Sequence, residues 1–137
     1  ALYREAYKKI EFKFDFDEGL KSFAFDQEQI KRVLINLIEN GIAAIPESEE
    51  HPYLMFETRA DLLRQTVRMT VSDNGVGFPE GNYSKLFEPY YSTKQSGSGL
   101  GLAIVHKIIE EHGGIIQASA NKDRGLSFKV ELPYKLS

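Results

Sequence analysis

The strongest constraint on the fold is one amphipathic helix early in the chain. Apolar residues recur there at the i, i+3, i+4 and i+7 spacing of a single helical face, and Pro46 ends the pattern. The residues of this face are Ile30, Val33, Leu34, Leu37, Ile38, Ile42 and Ile45. An apolar face of this width has to be buried against another layer of structure.

Strands on both sides of the helix supply that layer. Alternating or β-rich segments predict strands at residues 10–17, 23–25, 53–61, 66–73, 115–120 and 126–132. A second helix is expected over residues 100–111, ended by Gly113 and Gly114. Residues 74–99 show no clear period and predict a long irregular segment. We therefore expect an α/β sandwich whose mixed, mainly antiparallel sheet has one face covered by helices.

Composition excludes several classes of function. The chain has 137 residues and no cysteine, which rules out disulfides and zinc–thiolate sites. No run of about 18 apolar residues is present, so no membrane span and no direct membrane contact are expected. The 17 basic and 20 acidic residues are dispersed, and without a basic stripe we expect no nucleic-acid partner.

Two asparagines form the first candidate site. Asn36 and Asn40 fall together at one edge of the apolar face of the first helix. Their carbonyl oxygens are suitable ligands for a hard cation such as Mg²⁺, which usually shares its ligands with water and phosphates. Taken alone, such a pair is more often an ordinary surface feature.

Asp73 is the centre of the second candidate site. The period that directs Val67, Met69 and Val71 into the core also carries Asp73 to the apolar side of its strand. A buried carboxylate needs hydrogen-bond donors, and a ligand amino group is one such donor. The glycines that follow allow close approach of a flat ring. An ordinary Asp-Asn-Gly turn is an equal alternative.

The third candidate is the glycine-rich run Gly97-Ser-Gly-Leu-Gly-Leu102, which leads into the second helix. Amide groups at a helix start can bind phosphate. The run is neither a P-loop nor a dinucleotide fingerprint, and it is weak evidence by itself. Between it and Asp73, residues 85–94 are suited to a lid whose Lys94 reaches phosphate, or to a plain surface loop.

Together these segments resemble one family. Asn36-Leu-Ile-Glu-Asn40, Asp73-Asn-Gly-Val-Gly77, Phe87-Glu-Pro-Tyr-Tyr91 and the Gly97 run are similar to the N, G1, F and G2 boxes of sensor histidine kinases. That group belongs to the ATPase superfamily of gyrase, Hsp90 and MutL. The resemblance implies a Bergerat ATP-binding fold with a long ATP lid. Glu88-Pro89 followed by Ser92-Thr93-Lys94 is most like the nitrogen-regulation class.

The resemblance also implies roles for particular residues. Asp73 would bind the adenine amino group, and Asn40, supported by Asn36, would hold Mg²⁺. Gly75 and Gly77 would form the adenine wall, and Phe87 would anchor the lid. The full set expected at ATP is Asn36, Asn40, Ala43, Asp73, Gly75, Gly77, Phe87, Thr93, Lys94, Gly97, Ser98, Gly99, Leu100, Gly101 and Leu102, with Asn36, Asn40 and Lys94 also catalytic.

The asparagine at position 36 favours transfer of a phosphoryl group to another protein over hydrolysis of ATP. The hydrolytic relatives have a glutamate there as general base, and an amide cannot accept that proton. The nucleophile would be a histidine of a separate dimerisation and phosphoacceptor domain, because His51, His106 and His112 lack the acceptor pattern. A response-regulator aspartate would then take the phosphate. We accordingly expect residues 1–9 to end a linker and residues 10–137 to form a cytoplasmic catalytic domain, whether or not the parent kinase is anchored in the inner membrane.

Two alternatives remain open at this stage. One is a serine kinase or anti-sigma factor of the same superfamily. The other is a degenerate nucleotide-sensing module, for which Gly41 leaves room: the family commonly has alanine there, and glycine within a helix costs about 1 kcal/mol.

Overall fold

The structure is a computed structural model that describes residues 10–17, 27–78, 81–89, 101–122 and 124–133. Its helices are α1 (Gln27–Ala44), a short 3₁₀ helix (Tyr83–Phe87) and α2 (Gly101–Glu111). Its strands are β1 (Glu11–Asp15), β2 (Tyr53–Asp61), β3 (Thr66–Asp73), β4 (Ile115–Ala120) and β5 (Leu126–Pro133). The predicted strand at residues 23–25 lies outside the described ranges.

The five strands form one mixed sheet in the order β1-β2-β3-β5-β4. β1 pairs with β2 in parallel, and the other three pairings are antiparallel. This arrangement confirms the expected mixed, mainly antiparallel sheet. It also makes β5 the neighbour of β3, so the end of β3 that carries Asp73 lies beside the start of β5.

The main core lies between one face of the sheet and the two helices, as the apolar face of α1 predicts. Val33 and Leu37 from α1 and Val105 and Ile109 from α2 are almost completely buried there. The strands contribute Val67, Val71, Ile116, Leu126, Phe128, Val130 and Leu132. A smaller cluster at the end of α1 joins Ile42 and Ile45 to Leu54, and Phe56 packs against both clusters.

The first strand differs from its prediction. It is shorter than residues 10–17, and its apolar face is largely uncovered: Phe12, Phe14 and Phe16 are 44%, 61% and 57% exposed. β1 is an edge strand, and these rings stack on each other and on Phe56 instead of entering the core. Alternation therefore predicted the strand, but it could not show how far the helices extend over the sheet.

The elements after β3 agree with the sequence apart from one addition. The 3₁₀ helix at Tyr83–Phe87 occupies part of the segment that was predicted to be irregular. α2 ends as expected: Gly113 has a φ of 75°, the Gly114 amide donates to the Ile109 carbonyl, and the His112 ring contacts the Ile108 carbonyl. Among the described helices, none is both long and apolar enough to cross a membrane.

The core packing gives the first testable prediction. Leu37 is 1% exposed, so we expect Leu37→Ala to lower the free energy of unfolding by about 2–5 kcal/mol through lost burial and a residual cavity. The control is Ile35→Ala on the same helix, where the side chain is 45% exposed and the expected loss is below about 1 kcal/mol. Chemical denaturation measures both, and equal losses would contradict this assignment of the buried face.

Candidate functional site

Asp73 lies at the end of β3 with 2% of its surface exposed, as its strand phase predicts. The backbone amide of Gly75 donates to Asp73 Oδ1 at 2.8 Å, and the amide of Leu126 approaches the same oxygen at 3.4 Å. Backbone N–H groups from two segments, one directly after β3 and one at the start of β5, therefore hold the same carboxylate oxygen. Donation of this kind is what allows a carboxylate to be buried.

Three glycines make room for this carboxylate. A Cβ added to Gly125 would lie 2.1 Å from the Asp73 carbonyl oxygen and 2.7 Å from Oδ1. One added to Gly75 would lie 2.4 Å from the Ala44 carbonyl oxygen. One added to Gly41 would lie 2.6 Å from Leu54 Cδ2 and 3.8 Å from Asp73 Oδ2. Side chains at these positions would push α1 or the β4–β5 turn away from Asp73.

Gly41 consequently has a packing role that the sequence did not indicate. It is buried on the side of α1 that faces Leu54 and Asp73. The absence of a side chain lets the helix approach the end of β3 closely. This close packing offsets the cost that glycine brings to a helix.

Two further asparagines fasten the segments around Asp73. Asn74 Oδ1 accepts from the Tyr53 amide at 2.9 Å, and its Nδ2 donates to the His51 carbonyl at 2.9 Å. Asn121 Nδ2 donates to the Asp73 carbonyl oxygen and to the Tyr53 hydroxyl, both at 2.9 Å. The start of β2 and the turn that follows β4 are thereby tied to the end of β3.

The asparagine pair of α1 lies at the junction with α2. Asn36 Nδ2 donates to the Arg32 carbonyl at 3.0 Å, and its Oδ1 is 3.1 Å from where a Cβ of Gly101 would stand. The Asn36 amide oxygen therefore faces the start of α2. Asn40 is half-buried one turn further along the same helix edge, and Ala43 beyond it is exposed.

Phe87 lies against the core at the end of the 3₁₀ helix. Its ring centroid is 5.6 Å from that of His106 and 6.1 Å from that of Phe128, in an edge-on contact. Leu102 also packs against this core. Gly77 adopts a φ of 74° beside the Gly125 carbonyl. Phe87 and Leu102 thus lie at the core near α2, and Gly77 lies beside the β4–β5 turn.

Six expected ATP contacts lie outside the described residues. They are Thr93, Lys94, Gly97, Ser98, Gly99 and Leu100. The described part of the candidate site is therefore the region around Asp73 and the asparagine pair of α1, of which Asn36 lies beside Gly101.

The donor set suits a magnesium ion that is bound largely through another ligand. Within the described ranges, no group of three acidic or histidine side chains could hold a metal. Asn36 and Asn40 instead offer neutral amide oxygens, and the local bond from Asn36 Nδ2 turns its Oδ1 toward the start of α2. Mg²⁺ accepts such oxygens when phosphates and water complete its six positions. The residues present therefore fit the ion.

The opposite face of the sheet is a different kind of surface. A shallow polar cavity of about 280 Å³ lies there, bordered by Arg59, Arg68 and Lys129 among others. Two of these cations already have carboxylate partners, because Arg59 bonds Asp15 at 2.7 Å and Arg68 bonds Glu131 at 3.1 Å. The hydrogen bond that Arg59 donates to the Asp15 carboxylate raises the pKa of the Arg59 guanidinium. This surface is polar, but its charges are largely compensated.

Comparison with known families identifies the chain. Residues 25–136 match the family described as histidine kinase-, DNA gyrase B- and HSP90-like ATPases. The chain belongs to this family. The match spans the asparagine pair, Asp73 and the glycine-rich run, which together make up the candidate ATP site.

Individual relatives narrow the assignment to sensor kinases. This ATPase domain is 36% identical to sporulation kinase A of Bacillus subtilis over 110 residues, which is 80% of this chain and 17% of that protein. It is 33% identical to the sensor histidine kinase ZraS of Escherichia coli over 130 residues, which is 95% of this chain and 27% of that protein. The chain thus spans less than a third of these relatives. They favour a histidine-kinase domain over the serine-kinase or anti-sigma alternative.

Solved structures support both the fold and the assignment. The catalytic domain of histidine kinase ThkA superposes with a TM-score of 0.81 at 35% identity, covering 97% of this chain and 86% of that one. ThkA in complex with the response regulator protein TrrA aligns with a TM-score of 0.75 at 34% identity, covering 98% of this chain and 37% of that one. The ATPase domain therefore has the fold of a histidine-kinase catalytic domain.

Sequence reasoning missed two residues that lie against Asp73, Asn121 and Gly125. Both lie in the β4–β5 turn, more than 45 positions from Asp73. The only local signal was a glycine between two strands. Their closeness to Asp73 depends on the pairing of β3 with β5, which no single segment specifies.

Gly125 gives a prediction with an internal control. Gly125 and Gly81 both have positive φ, at 98° and 81°, so alanine at either should cost roughly 1–2 kcal/mol of backbone strain. A Cβ at Gly81 meets nothing within 4 Å, whereas at Gly125 it meets Asp73. We expect Gly125→Ala to lower unfolding free energy by at least about 2 kcal/mol more than Gly81→Ala. Equal losses in denaturant titrations would show that Gly125 does not crowd Asp73.

Proposed function

We propose that this domain binds ATP–Mg²⁺ and supplies its γ-phosphate to a histidine on a separate dimerisation and phosphoacceptor domain. An aspartate of a response regulator would then receive the phosphate. The observation that carries the proposal is the buried Asp73 carboxylate, held by backbone amides and closely surrounded by glycines, in a chain similar to sensor histidine kinases.

Asp73 is proposed to accept a hydrogen bond from the adenine amino group. The amides of Gly75 and Leu126 hold its Oδ1. Gly77, which has a positive φ, follows two residues after Gly75 and places no side chain near the carboxylate. Gly75 and Gly77 would then form the wall of the base pocket. A fixed carboxylate acceptor favours a base that presents an amino group over one that presents a carbonyl, because a lone acceptor cannot bond another acceptor.

Asn40 is proposed to hold Mg²⁺ together with the phosphates, supported by Asn36. Magnesium would neutralise phosphate charge during transfer. The Asn36 oxygen faces the start of α2, where backbone amides can bind anions. Lys94 and Thr93 of the lid, together with Gly97, Ser98, Gly99 and Leu100, are proposed to contact the phosphates, and Phe87 to anchor the lid.

Transfer is favoured over hydrolysis by the chemistry of position 36. An asparagine amide cannot act as the general base that would activate water. In the proposed reaction a neutral imidazole nitrogen attacks the γ-phosphorus, the bond to the β–γ bridging oxygen breaks, and ADP leaves while the imidazole loses its proton. The incoming histidine would come from the neighbouring domain of the same kinase.

A response-regulator receiver domain is the proposed final acceptor. This inference comes from ThkA, whose structure has been solved with the response regulator protein TrrA. We further propose a cytoplasmic location, since ATP and response regulators are available there. Membership of the nitrogen-regulation class stays a prediction that depends on residues 88–94.

The adenine assignment is tested by Asp73→Asn. We expect the variant to weaken ADP binding at least about tenfold, because an amide replaces a charged acceptor that is already held by backbone donors. Isothermal calorimetry measures the change. Ser72→Ala is the matched control: Ser72 is also buried and hydrogen-bonded, to Ser127 at 2.7 Å, but its side chain is on the opposite face of β3. Unchanged ADP affinity in Asp73→Asn would remove Asp73 from the adenine site.

Phosphoryl transfer needs a separate experiment. We expect the domain, mixed with a separately produced phosphoacceptor domain and γ-labelled ATP, to place acid-labile label on that partner in the presence of Mg²⁺. Asn40→Ala should reduce the initial rate by at least about tenfold, which a metal titration can trace to the ion. Normal nucleotide binding without transfer to any cognate acceptor would favour a nucleotide-sensing module instead.

A further inference from the structure

The side chain of Asn121 ties the β4–β5 turn to the end of β3. Asn121 Nδ2 donates to the Asp73 carbonyl oxygen at 2.9 Å and to the Tyr53 hydroxyl at 2.9 Å. Its Oδ1 accepts from the Lys122 amide at 2.9 Å. Both ends of the amide group are therefore engaged, which fixes its orientation.

The backbone of Asn121 closes the same turn. Its amide donates to the Gly125 carbonyl at 2.9 Å, across the loop that separates the two strands. This bond, together with the pairing of β5 with β3 and β4, places Gly125 and Leu126 beside Asp73. The Leu126 amide is the second donor to Asp73 Oδ1, and Gly125 packs directly against the Asp73 backbone.

Two of the hydrogen bonds that hold Asp73 lead to Asn121, in addition to the bond that the Gly75 amide donates to the carboxylate. Its carbonyl is bonded by the Asn121 side chain, and its carboxylate is bonded by the residue that follows the turn. Loss of the Asn121 side-chain amide would release the Asp73 carbonyl and the Lys122 amide, so the turn that presents the Leu126 amide would be less firmly held. The direction of the carboxylate would then be less well defined.

We propose that Asn121 is a positioning residue for base selection, which acts by fixing the Asp73 carboxylate toward the amino group of the bound adenine. The inference rests on the proposed function of Asp73. It adds that selectivity for adenine depends on the β4–β5 turn, which lies outside the segments that carry the resemblance to sensor kinases.

The hydrogen bond from Asn121 to the Tyr53 hydroxyl can be removed without removing the bond from Asn121 to Asp73. The Tyr53 hydroxyl is the second acceptor of Asn121 Nδ2, and the ring is covered by Lys13 Nζ at 4.4 Å from its centroid. If Asn121 acts through Asp73, removing this hydroxyl should matter little. Tyr53→Phe is therefore expected to raise the Kd for ADP by no more than about twofold.

The test compares Asn121→Ala with the parent domain by calorimetry, using two nucleotides. We expect the Kd for ADP to rise roughly fivefold to tenfold. Purine riboside diphosphate lacks the 6-amino group, and its Kd should change by less than about twofold because the bond that Asn121 positions is not made. Lys122→Ala in the same turn is the control, since only the backbone of Lys122 takes part.

A double-mutant cycle separates this inference from the proposed function. In the Asp73→Asn background, adding Asn121→Ala should raise the Kd for ADP by less than about twofold. An Asp73→Asn variant that binds ADP normally overturns the adenine assignment. An Asp73→Asn variant that binds poorly beside an Asn121→Ala variant that binds normally overturns only the role of Asn121. The role of Asn121 is also overturned if Asn121→Ala raises the Kd for both nucleotides equally, or raises the Kd for ADP equally in the parent domain and in the Asp73→Asn background. A Tyr53→Phe variant that loses as much ADP affinity as Asn121→Ala overturns it as well.

A second variant covers the case in which Asn121→Ala does not fold. Asn121→Asp keeps the side-chain shape and the acceptor for the Lys122 amide, but it cannot donate to the Asp73 carbonyl. We expect this variant to lose at least as much ADP affinity as Asn121→Ala and to spare purine riboside diphosphate. Normal ADP binding in a folded Asn121→Asp variant contradicts the proposal.

Discussion

Burial of one carboxylate organises the candidate site of this domain. Asp73 is 2% exposed, and a charged group at that depth requires hydrogen-bond donors placed around it. The donors are backbone amides that follow β3 and begin β5, and they reach the carboxylate because glycines stand at positions 75 and 125. Gly41 allows α1 to approach from the other side. Three parts of the fold therefore contact this one side chain: the segment that follows β3, the β4–β5 turn with the start of β5, and α1.

The features that local physics determines could be predicted from the sequence. β2, β3 and β4 have the predicted bounds because alternation and turn residues are confined to each segment. The inward direction of Asp73 followed from the phase of β3 alone, and the apolar face of α1 predicted which side of that helix is buried. The placement of Asn36 at the helix edge required no more than its angle relative to that face.

The features that could not be predicted depend on contacts between distant segments. Asn121 and Gly125 join Asp73 only because β5 lies between β3 and β4 in the sheet. The phenylalanines of β1 repeat like core residues, yet they stay exposed at one edge of the sheet, outside the clusters of buried residues. The cost assigned to Gly41 considered the helix alone, whereas the structure brings Leu54 and Asp73 against that residue. In each case the sequence of one segment does not tell which distant segment packs against it in the fold.

The histidines of the chain give an independent reason to seek the phosphate acceptor elsewhere. His112 contacts the Ile108 carbonyl at the end of α2, where it completes the helix terminus. His106 packs its ring on Phe87 and lies 3.4 Å from Glu110. The His51 carbonyl accepts from Asn74 and helps to fix the start of β2. The side chains of His106 and His112 thus already have structural contacts, and Asn36 supplies no base to activate water. A domain built in this way is suited to hold nucleotide until an acceptor side chain arrives from outside it.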